Sequence, residues 1–368
     1  MTGRSFFFAG GGTGGHIYPA VAVAEKIAEL SPTATIHFFV SGRDIDKRVL
    51  SKTNFEYTTL PAAGFSIRPG RFISFCKLFL SSYKIAADAL RKSSDPVVIG
   101  VGGYVAAPVC WAAHKLGVPV VLLNVDIVPG RANKLLARWA GRIFVQFEET
   151  GEYFGRHKRK VTVTGCPLRS SFEKPNPERA KEALGLDKSK KILLITGASS
   201  GSQNINRTVC SLLDKISIFA DGWQIVHLTG RANFEEVKAG YADAAIRHKV
   251  VDYYDDMADL LAAANLLIGR SGAVSVAEYA AAEVPSICMP YPYHRDIHQY
   301  LNAGKLVEAG AAIIVDDVGD AKDRQEWLWE ELEPLLKDDK IRLQMKDACK
   351  LVARKNASRK IAESLLAE

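Results

Sequence analysis

Three turns rich in glycine and other small residues each follow a short apolar run and precede a helical pattern. They lie at residues 10–16, 100–104 and 197–203 and read GGGTGGH, GVGGY and GASSGSQ. Glycine permits positive φ and close backbone approach, and the helix start beyond such a turn presents free N–H groups to an anion. A single turn of this kind can be a tight connection only, but three of them favour a phosphate-bearing ligand.

Short apolar runs alternate with helical patterns along the chain, which predicts an α/β fold with parallel sheets. The alternation restarts after a segment rich in breakers at about residues 165–177, so we expect two Rossmann-like domains that face each other across a cleft. The expected domains are residues 1–167 and 168–345, with a helical tail at 346–368 that could pack back on the first domain. The predicted strands are 6–9, 35–40, 55–60, 97–101, 120–123, 143–147, 192–196, 224–228, 266–268 and 286–289, and the predicted helices include 18–30, one from about 206, and 275–282.

Chain length and charge restrict the number of domains and the classes of partner that we expect. The chain has 368 residues, which suits two domains rather than one. Residues 1–167 carry 21 basic and 11 acidic side chains, whereas residues 168–368 carry 27 and 30. The basic half points to anionic partners: nucleic acid, a membrane surface or phosphorylated substrates. Six scattered cysteines suggest a reducing cytoplasm without disulfides or zinc, and no signal peptide or spanning helix of ~18 apolar residues is expected.

The first turn also matches a dinucleotide-binding fingerprint, Gly10-x-Gly12-x-x-Gly15. Such domains carry an acidic residue about 20 positions later, at the tip of the second strand, to hold the ribose. Here that strand ends in FVSGR at residues 39–43, without an acidic residue. Only a weak alternative is left, in which Arg43 binds an NADP-like dinucleotide. No GxxxxGK[ST] motif is present, so the chain is not a P-loop nucleotidase.

A further constellation spans residues 270–278, RSGAVSVAE. Ser271-Gly272 would open a helix whose N–H groups face a diphosphate, with Arg270 adding positive charge. Glu278 could accept two hydroxyl hydrogen bonds from a ribose diol, or it could be an ordinary solvent-facing glutamate.

Three acidic pairs superficially suggest a cation site. Asp44-Ile45-Asp46 has the DxD form, and we interpret Asp44 as a helix cap. Asp255-Asp256 and Asp316-Asp317 are interpreted as turn and cap residues as well. We therefore predict no metal requirement.

Taken together, these motifs resemble the MurG family. The shared runs are GGTGGH with Pro19, GVGGYVAAP at 100–108, RSGAVSVAE at 270–278 and His298-Gln299, in consistent order from about residue 5 to residue 310. Members of that family transfer N-acetylglucosamine from UDP-N-acetylglucosamine to undecaprenyl-diphospho-muramoyl-pentapeptide. The resemblance implies a GT-B glycosyltransferase fold, inverting transfer without a cofactor, and a donor held mostly by the second domain.

The resemblance also carries site residues onto matching positions. His16 matches a proposed catalytic histidine, and a reference pKa of about 6.5 lets it accept a proton near neutrality. Asp126 is the second candidate base, and a purely orienting role for His16 stays open. Gly102, Gly103 and Tyr104 are expected on the acceptor side. The positions expected to bind UDP-N-acetylglucosamine are Thr13, Gly14, Gly15, Asp126, Arg169, Ser199, Tyr254, Arg270, Ala273, Val274, Ser275, Val276, Ala277, Glu278, His298 and Gln299.

The chain departs from the family pattern at two turns. Leu123-Asn124-Val125-Asp126 stands where His-Glu-Gln-Asn is frequent, and GASSGS replaces GGSQGA while keeping Ser199. A carboxylate at position 126 accepts hydroxyl protons but cannot donate an N–H, so one sugar contact must be lost or rebuilt. His298 replaces a frequent glutamine.

An apolar helix with basic flanks is predicted after residue 71. Such a helix can lie among lipid headgroups, where each nearby Lys or Arg contributes ~1 kcal/mol on an anionic leaflet. A core helix is the alternative, but the basic first half and the lipid-linked acceptor favour a peripheral location on the cytoplasmic face of the bacterial plasma membrane. The expected patch comprises Phe72, Phe75, Phe79, Arg68, Arg71 and Lys77.

Two rival functions stay open at this point. One is another GT-B transferase that uses a UDP-sugar on a lipid acceptor, which His16 and Gly102-Gly103-Tyr104 disfavour. The other is a catalytically silent UDP-sugar-binding protein, left by the changes at 123–126. Nucleic acid is not expected as a partner, because the basic residues form no aromatic-interleaved stripe.

Overall fold

The computed structural model describes residues 3–64, 68–198 and 201–367. The chain forms two compact domains. The N-terminal domain comprises Met1–Ser170 and Asn356–Glu368, and the C-terminal domain comprises Ser171–Lys355. The sequence-based division at 167/168 lies three residues earlier, and the tail expected from residue 346 belongs to the N-terminal domain only from Asn356 onward.

The N-terminal domain is built on a seven-stranded parallel sheet with strand order β3-β2-β1-β4-β5-β6-β7. Its strands are β1 (Ser5–Ala9), β2 (Thr35–Val40), β3 (Glu56–Thr59), β4 (Pro96–Gly100), β5 (Val120–Asn124), β6 (Arg142–Val145) and β7 (Val161–Val163). Its helices are α1 (Gly14–Leu30), α2 (Asp44–Leu50), α3 (Pro69–Lys92), α4 (Gly103–Lys115), α5 (Arg131–Leu136) and, from the end of the chain, α15 (Ala357–Leu366), with a 3-10 segment at Glu148–Lys160.

The C-terminal domain repeats this plan with a six-stranded parallel sheet, ordered β10-β9-β8-β11-β12-β13. Its strands are β8 (Lys191–Thr196), β9 (Trp223–Leu228), β10 (His248–Val251), β11 (Leu266–Gly269), β12 (Ser286–Cys288) and β13 (Ala312–Ile314). Its helices are α6 (Pro177–Leu184), α7 (Gln203–Ser211), α8 (Leu213–Ser217), α9 (Phe234–Gly240), α10 (Met257–Ala263), α11 (Ala273–Ala281), α12 (His298–Glu308), α13 (Ala321–Lys337) and α14 (Asp339–Val352), and short 3-10 turns lie at Ser170–Phe172 and Arg231–Asn233.

The prediction of two parallel-sheet α/β domains is confirmed. The central strands β1 and β8 are buried along nearly their whole length, as expected for strands covered on both faces. In each sheet the strand order reverses next to this first strand, between β1 and β4 and between β8 and β11. In open α/β sheets, ligands bind outside the carboxyl ends of the strands at this reversal point. Two of the glycine-rich turns, at residues 10–16 and 100–104, lie there in the N-terminal domain.

Helix α15 completes the core of the N-terminal domain. It packs on α1, and Ile361, Ala362 and Leu365 are buried in one cluster with Ile17 and Val21. Hydrogen bonds fix the chain at both ends of α15, since Ser358 Oγ donates to the Leu168 carbonyl at 2.8 Å and Arg4 Nη1 donates to the Leu365 carbonyl at 3.1 Å.

Three strands were not predicted: β7, β10 and β13. Each is three or four residues long and lies at a sheet edge with most of its side chains exposed or half-buried. β7 and β10 produce no apolar run, whereas β13 lies in the apolar run AAIIV at residues 311–315, which the prediction missed. Among the described helices, none combines the length and apolar character that a bilayer crossing requires.

Candidate active site

A buried carboxylate organises the first glycine turn. Asp46, on α2, has no solvent exposure and accepts the Gly12 N–H at 2.7 and 2.9 Å with its two oxygens. The Ser41 N–H and hydroxyl also donate to it, at 3.2 and 2.5 Å. A side chain on Gly11 would meet this carboxylate at 2.6 Å, which is why the turn needs glycine there. The DxD-like segment therefore serves the loop through Asp46.

Asp44 and Arg43 differ from their predicted roles. The N-cap of α2 is Arg43, without a side-chain cap, and Asp44 is an exposed residue of the first turn, so the interpretation of Asp44 as the cap is wrong. The Arg43 guanidinium donates to the Gly12 carbonyl at 2.8 Å. This contact ties Arg43 to the glycine loop, which further weakens the dinucleotide alternative.

His16 lies in the first turn of α1, directly after the glycine loop. Its Nδ1 lies 3.0 Å from the Thr13 hydroxyl, so the loop residue orients the ring. Burial lowers the pKa of His16 below its usual value, while the charges of Asp126 and Asp46 and a hydrogen bond with the Gly11 backbone oppose that shift. The ring is therefore neutral at neutral pH, the form in which imidazole accepts a proton.

The second glycine turn meets His16 from β4. Gly102 has φ +105°, and a methyl group added there would lie 3.0 Å from His16 Nε2. Gly103, with φ +77°, begins α4, and a methyl group on it would lie 3.1 Å from the Gly11 carbonyl oxygen. The Tyr104 side chain is exposed and its ring lies against Gly64. The predicted base and acceptor-side residues are thus brought together.

Two hydrogen-bonded amide side chains, Asn124 at the end of β5 and Asn133 on α5, lie near this turn. Asn124 Nδ2 donates to the Asp126 carbonyl at 2.7 Å, and Asn133 Nδ2 donates to Asn124 Oδ1 at 3.0 Å. Because the carbonyl can only accept, this order fixes the orientation of both amides. The Asp126 side chain is half-buried and close enough to raise the pKa of His16. Sequence reasoning did not single out Asn133.

Other predicted donor residues of the N-terminal domain lie near α1. Gly14 and Gly15 form the start of α1, with Thr13 as its N-cap residue. The Arg169 guanidinium stacks on the Tyr18 ring of α1, 4.5 Å from its centroid. This stacking links Arg169 to the same helix that carries His16.

In the C-terminal domain a buried ion pair joins four loops, those after β8, β11, β12 and β13. Arg270 lies 2.6 Å from Asp317, whose side chain is fully buried, and it also donates to the Ser202 hydroxyl at 2.6 Å and the Met289 carbonyl at 2.8 Å. Asn204 Nδ2 donates to Asp317 at 2.9 Å. The interpretation of Asp317 as a turn or cap residue is therefore wrong. The guanidinium of Arg270 is bonded to other groups of the protein, as expected for a residue that fixes the positions of these loops.

Helix α11 carries the predicted diphosphate and ribose segment. Gly272 is its N-cap residue, so the free N–H groups of the helix start belong to the residues that follow it. Ser275, Ala277 and Glu278 are half-buried, whereas Ala273, Val274 and Val276 are buried. The side chain of Glu278 is therefore only partly open to solvent, unlike the freely solvated glutamate that the pattern alone allowed.

The loop before α12 is held by contacts with the first residues of that helix, His298 and Gln299. Gln299 Oε1 accepts the Tyr291 N–H at 2.9 Å, and the Gln299 carbonyl accepts the Ser271 hydroxyl at 3.0 Å. His298 Nδ1 lies 2.7 Å from Asp296, and its ring stacks on that of His294 with centroids 4.3 Å apart. Gln299 thereby connects this loop to the turn that begins α11.

Two further predictions concern single residues. Tyr254 is half-buried in the loop after β10, where burial raises the pKa of its hydroxyl group. Ser199 lies outside the described residues. Within the described parts of the chain, no group of three or more His, Cys, Asp or Glu side chains is arranged to hold a metal ion.

The apolar helix predicted after residue 71 is α3, and its apolar residues divide into two sets. Phe72, Ile73 and Leu80 are 44, 58 and 51 % exposed. Phe75 and Phe79 are half-buried, and Phe79 packs on Trp111 with ring centroids 5.5 Å apart. The exposed basic side chains of α3 and the residue before it are Arg68, Arg71, Lys77 and Lys84, followed by Arg91 and Lys92 at the far end of the helix.

Comparison with known proteins identifies the family of the chain. Residues 6–145 match the glycosyltransferase family 28 N-terminal domain, and residues 192–365 match the family 28 C-terminal domain. A UDP-N-acetylglucosamine–N-acetylmuramyl-(pentapeptide) pyrophosphoryl-undecaprenol N-acetylglucosamine transferase of Caldanaerobacter subterraneus subsp. tengcongensis is 35% identical over 97% of both chains. The enzyme of the same name from Carboxydothermus hydrogenoformans is 37% identical over 86% of this chain and 85% of its own.

Solved structures show the same fold. The crystal structure of Acinetobacter baumannii MurG superposes with a TM-score of 0.71 and 25% identity, covering 99% of this chain and all of that one. The UDP-GlcNAc 2-epimerase of Neisseria meningitidis has a TM-score of 0.71 at 15% identity over 99% of this chain and 100% of its own, which is a likeness of fold alone. With relatives above 30% identity along nearly its whole length, the chain belongs to the MurG family of N-acetylglucosaminyltransferases, which have the GT-B fold.

Proposed function

We propose that this protein transfers N-acetylglucosamine from UDP-N-acetylglucosamine to the C4 hydroxyl of undecaprenyl-diphospho-N-acetylmuramoyl-pentapeptide, with inversion, in peptidoglycan synthesis. Relatives that bear the name of this activity match along nearly the whole chain. The observation that carries the proposal is the surroundings of His16: a neutral imidazole lies beside Gly102, and two carboxylates act on it.

In this reaction His16 accepts the proton of the attacking hydroxyl. Proton transfer to a positioned base typically contributes ~10²- to 10⁴-fold to the rate. The lowered pKa keeps the ring unprotonated near neutrality, and Asp126 and Asp46 favour the imidazolium that forms as the proton arrives. The hydroxyl oxygen then bonds to C1 of the sugar while the bond from C1 to the UDP oxygen breaks on the opposite face.

The departing diphosphate needs positive potential in the C-terminal domain. The N–H groups at the start of α11 supply it without a charged side chain. Arg270 holds Ser202 and Met289 in the neighbouring loops, so its contribution is to shape this surface. We expect Glu278, which is half-buried on α11 one turn after Ser275, to accept hydrogen bonds from the ribose hydroxyls.

The first experiment measures UDP release from UDP-N-acetylglucosamine, with and without the lipid-linked muramoyl-pentapeptide, in the presence of EDTA. We expect release that depends on the acceptor and survives the chelator. Release that occurs only with a different lipid acceptor would mean another GT-B transferase. Donor binding without any release would mean a catalytically silent binder.

The role of His16 is tested with His16→Gln, which we expect to lower kcat by about 10² or more. His37 provides a matched control. It belongs to the same domain, burial also lowers its pKa, and its Nε2 contacts the Thr58 hydroxyl at 2.9 Å. The variant His37→Gln should keep its rate. Equal rates for both variants would contradict the role of His16 as base.

We also propose that the exposed side of α3 binds an anionic membrane surface on the cytoplasmic face, as a lipid-linked acceptor requires. The support is an exposed apolar set, Phe72, Ile73 and Leu80, with Arg71 and Lys77 on the same helix. Phe75 and Phe79, which the sequence analysis included, are half-buried and are poor targets because their truncation would disturb packing against Trp111.

The membrane proposal is tested by co-sedimentation with vesicles that contain phosphatidylglycerol. The double variant Ile73→Ser, Leu80→Ser should weaken binding while the affinity for UDP-N-acetylglucosamine stays unchanged. The control is Ile218→Ser, Leu351→Ser, which removes side chains that are 77 and 75 % exposed in the C-terminal domain. If both double variants bind vesicles like the unmodified protein, α3 is not the membrane-binding surface.

A further inference from the structure

Asp46 has more contacts to the glycine loop than any capping role on α2 would require. Its carboxylate is fully buried, and every hydrogen bond that it accepts from the described residues comes from outside its own helix. Three donor groups reach it: the N–H of Gly12, 34 residues earlier in the chain, and the N–H and hydroxyl of Ser41. A buried carboxylate with three donors is a fixed part of the structure.

These contacts determine the path of the loop before His16. Gly10, Gly11 and Gly12 all have positive φ. Because glycine has no Cβ, three glycines in a row give the loop little intrinsic preference for one path. The bond from the Gly12 N–H to Asp46 and the bond from Arg43 to the Gly12 carbonyl hold the same residue from both of its polar groups. Thr13, the next residue, contacts the His16 ring at 3.0 Å.

The carboxylate also acts on the imidazole directly. The charged groups that influence the His16 ring are Asp126, in the loop after β5, and Asp46, on α2. Both raise its pKa, in opposition to burial. Gly102, which faces Nε2 from the start of α4, brings no charge. Asp46 therefore combines a hydrogen-bonding role at the loop with an electrostatic role at the ring.

We propose that Asp46 is a positioning residue of the transfer reaction: it fixes the glycine loop so that Thr13 and His16 keep their places, and it stabilises the imidazolium that forms when His16 takes the hydroxyl proton. This inference rests on the proposed function for its consequence in catalysis. The structural part, an influence of Asp46 on the His16 ring, is independent of which acceptor is used.

The test compares Asp46→Asn with Asp44→Asn. Asparagine keeps the size of Asp46 but removes its charge and turns an N–H₂ group toward the backbone N–H donors. Asp44 lies two residues earlier, is exposed, and loses the same charge without disturbing these contacts. We expect kcat to fall about tenfold to a hundredfold in Asp46→Asn and to stay unchanged in Asp44→Asn.

The second readout is the titration of His16, followed through its C2–H signal by NMR against a His16→Gln reference spectrum. In Asp46→Asn the pKa of His16 should fall further, because a charge that raises it has been removed. The pH below which kcat declines, through protonation of His16, should fall with it. A merely structural role would leave that pKa unchanged. Equal titrations in the two asparagine variants would overturn the proposal.

Asp46→Glu keeps the charge and covers the case in which Asp46→Asn fails to fold. The longer side chain displaces the loop, so we expect a lower kcat with the pKa of His16 close to that of the unmodified protein. A wild-type rate in Asp46→Glu would overturn the positioning role. If the unmodified protein itself shows no acceptor-dependent UDP release, the proposed function fails, while the NMR comparison still decides the effect of Asp46 on His16.

Discussion

Asp317 and Arg270 form an ion pair with 2.6 Å between Oδ2 and Nη2, in which the carboxylate is fully buried and the guanidinium side chain is 10% exposed. The pair joins the loop after β13 to the loop after β11. Arg324 lies 3.8 Å from the same carboxylate, so two cations depend on one buried charge.

Asp317→Asn should therefore be strongly destabilising. Removing one partner of a buried pair leaves an uncompensated charge and typically costs about 3 to 5 kcal/mol. The loss should appear in urea unfolding followed by tryptophan fluorescence. Because Arg270 holds Ser202 and Met289, the affinity for UDP-N-acetylglucosamine should fall too. Asp316→Asn, at the exposed neighbouring position, is the control and should change stability little.

The pH dependence of the rate distinguishes the two candidate bases. If His16 is the base, kcat falls only at a pH low enough to protonate the ring. Burial lowers the pKa of His16, so this decline should occur below the usual histidine range. Asp126 raises the pKa of His16, so Asp126→Asn should shift this acid limb to lower pH while activity remains. Loss of activity across the whole pH range in Asp126→Asn would instead assign the base to Asp126.

Gly102→Ala should damage catalysis through the His16 ring. The added methyl group would lie 3.0 Å from Nε2, and φ +105° strains any residue other than glycine. Gly117 separates the two effects, because it also has positive φ, +70°, but has nothing within 4 Å of an added methyl group. We expect both alanine variants to lose stability, by about 1 to 2 kcal/mol, and only Gly102→Ala to lose more than tenfold in kcat.

His227 should make the C-terminal domain sensitive to acid. It is fully buried between the Tyr241 hydroxyl and Asn206 Oδ1, and burial lowers its pKa to about 3. The folded form therefore binds fewer protons than the unfolded chain, whose histidine titrates near 6.5. Stability is fully present above pH 6.5 and is lost by about 1.4 kcal/mol per pH unit as the pH falls toward 3.

The check is urea unfolding between pH 8 and pH 4. His227→Phe should be less stable at pH 8, since two hydrogen bonds are lost, but its stability should decline less steeply below pH 6.5. His248→Gln alters an exposed histidine and should keep the slope of the unmodified protein. A slope unaffected by His227→Phe would mean that other groups cause the acid sensitivity.

The fold was predictable because its signals are local. Glycine turns directly follow buried strands, and predicted strands such as 35–40 and 192–196 agree with β2 and β8 to within a residue. Helix α1 begins at Gly14, four residues before its predicted start, because two glycines continue the helix where the pattern suggested a loop. The edge strands β7 and β10 carry no such signal, because none of their side chains is fully buried.

The site was only partly predictable because its supporting residues act over long distances in the chain. Asp46 reaches Gly12 across 34 residues, and Asp317 reaches Arg270 across 47. In sequence both are ordinary acidic residues next to a helix, indistinguishable from Asp44 and Asp316. Burial decides the difference, and no local pattern reports the burial of a single carboxylate.

The packing of α15 on α1 has a consequence for how the chain is made. A ribosome completes residues 1–170 first, but Ile361 and Leu365, which are buried in one cluster with Ile17 and Val21 of α1, follow only after the entire C-terminal domain. The apolar side chains of α1 that pack against α15 therefore stay exposed while the C-terminal domain is synthesised. Because α15 completes the core of the N-terminal domain, the folding of that domain is completed only after translation of the C-terminal domain.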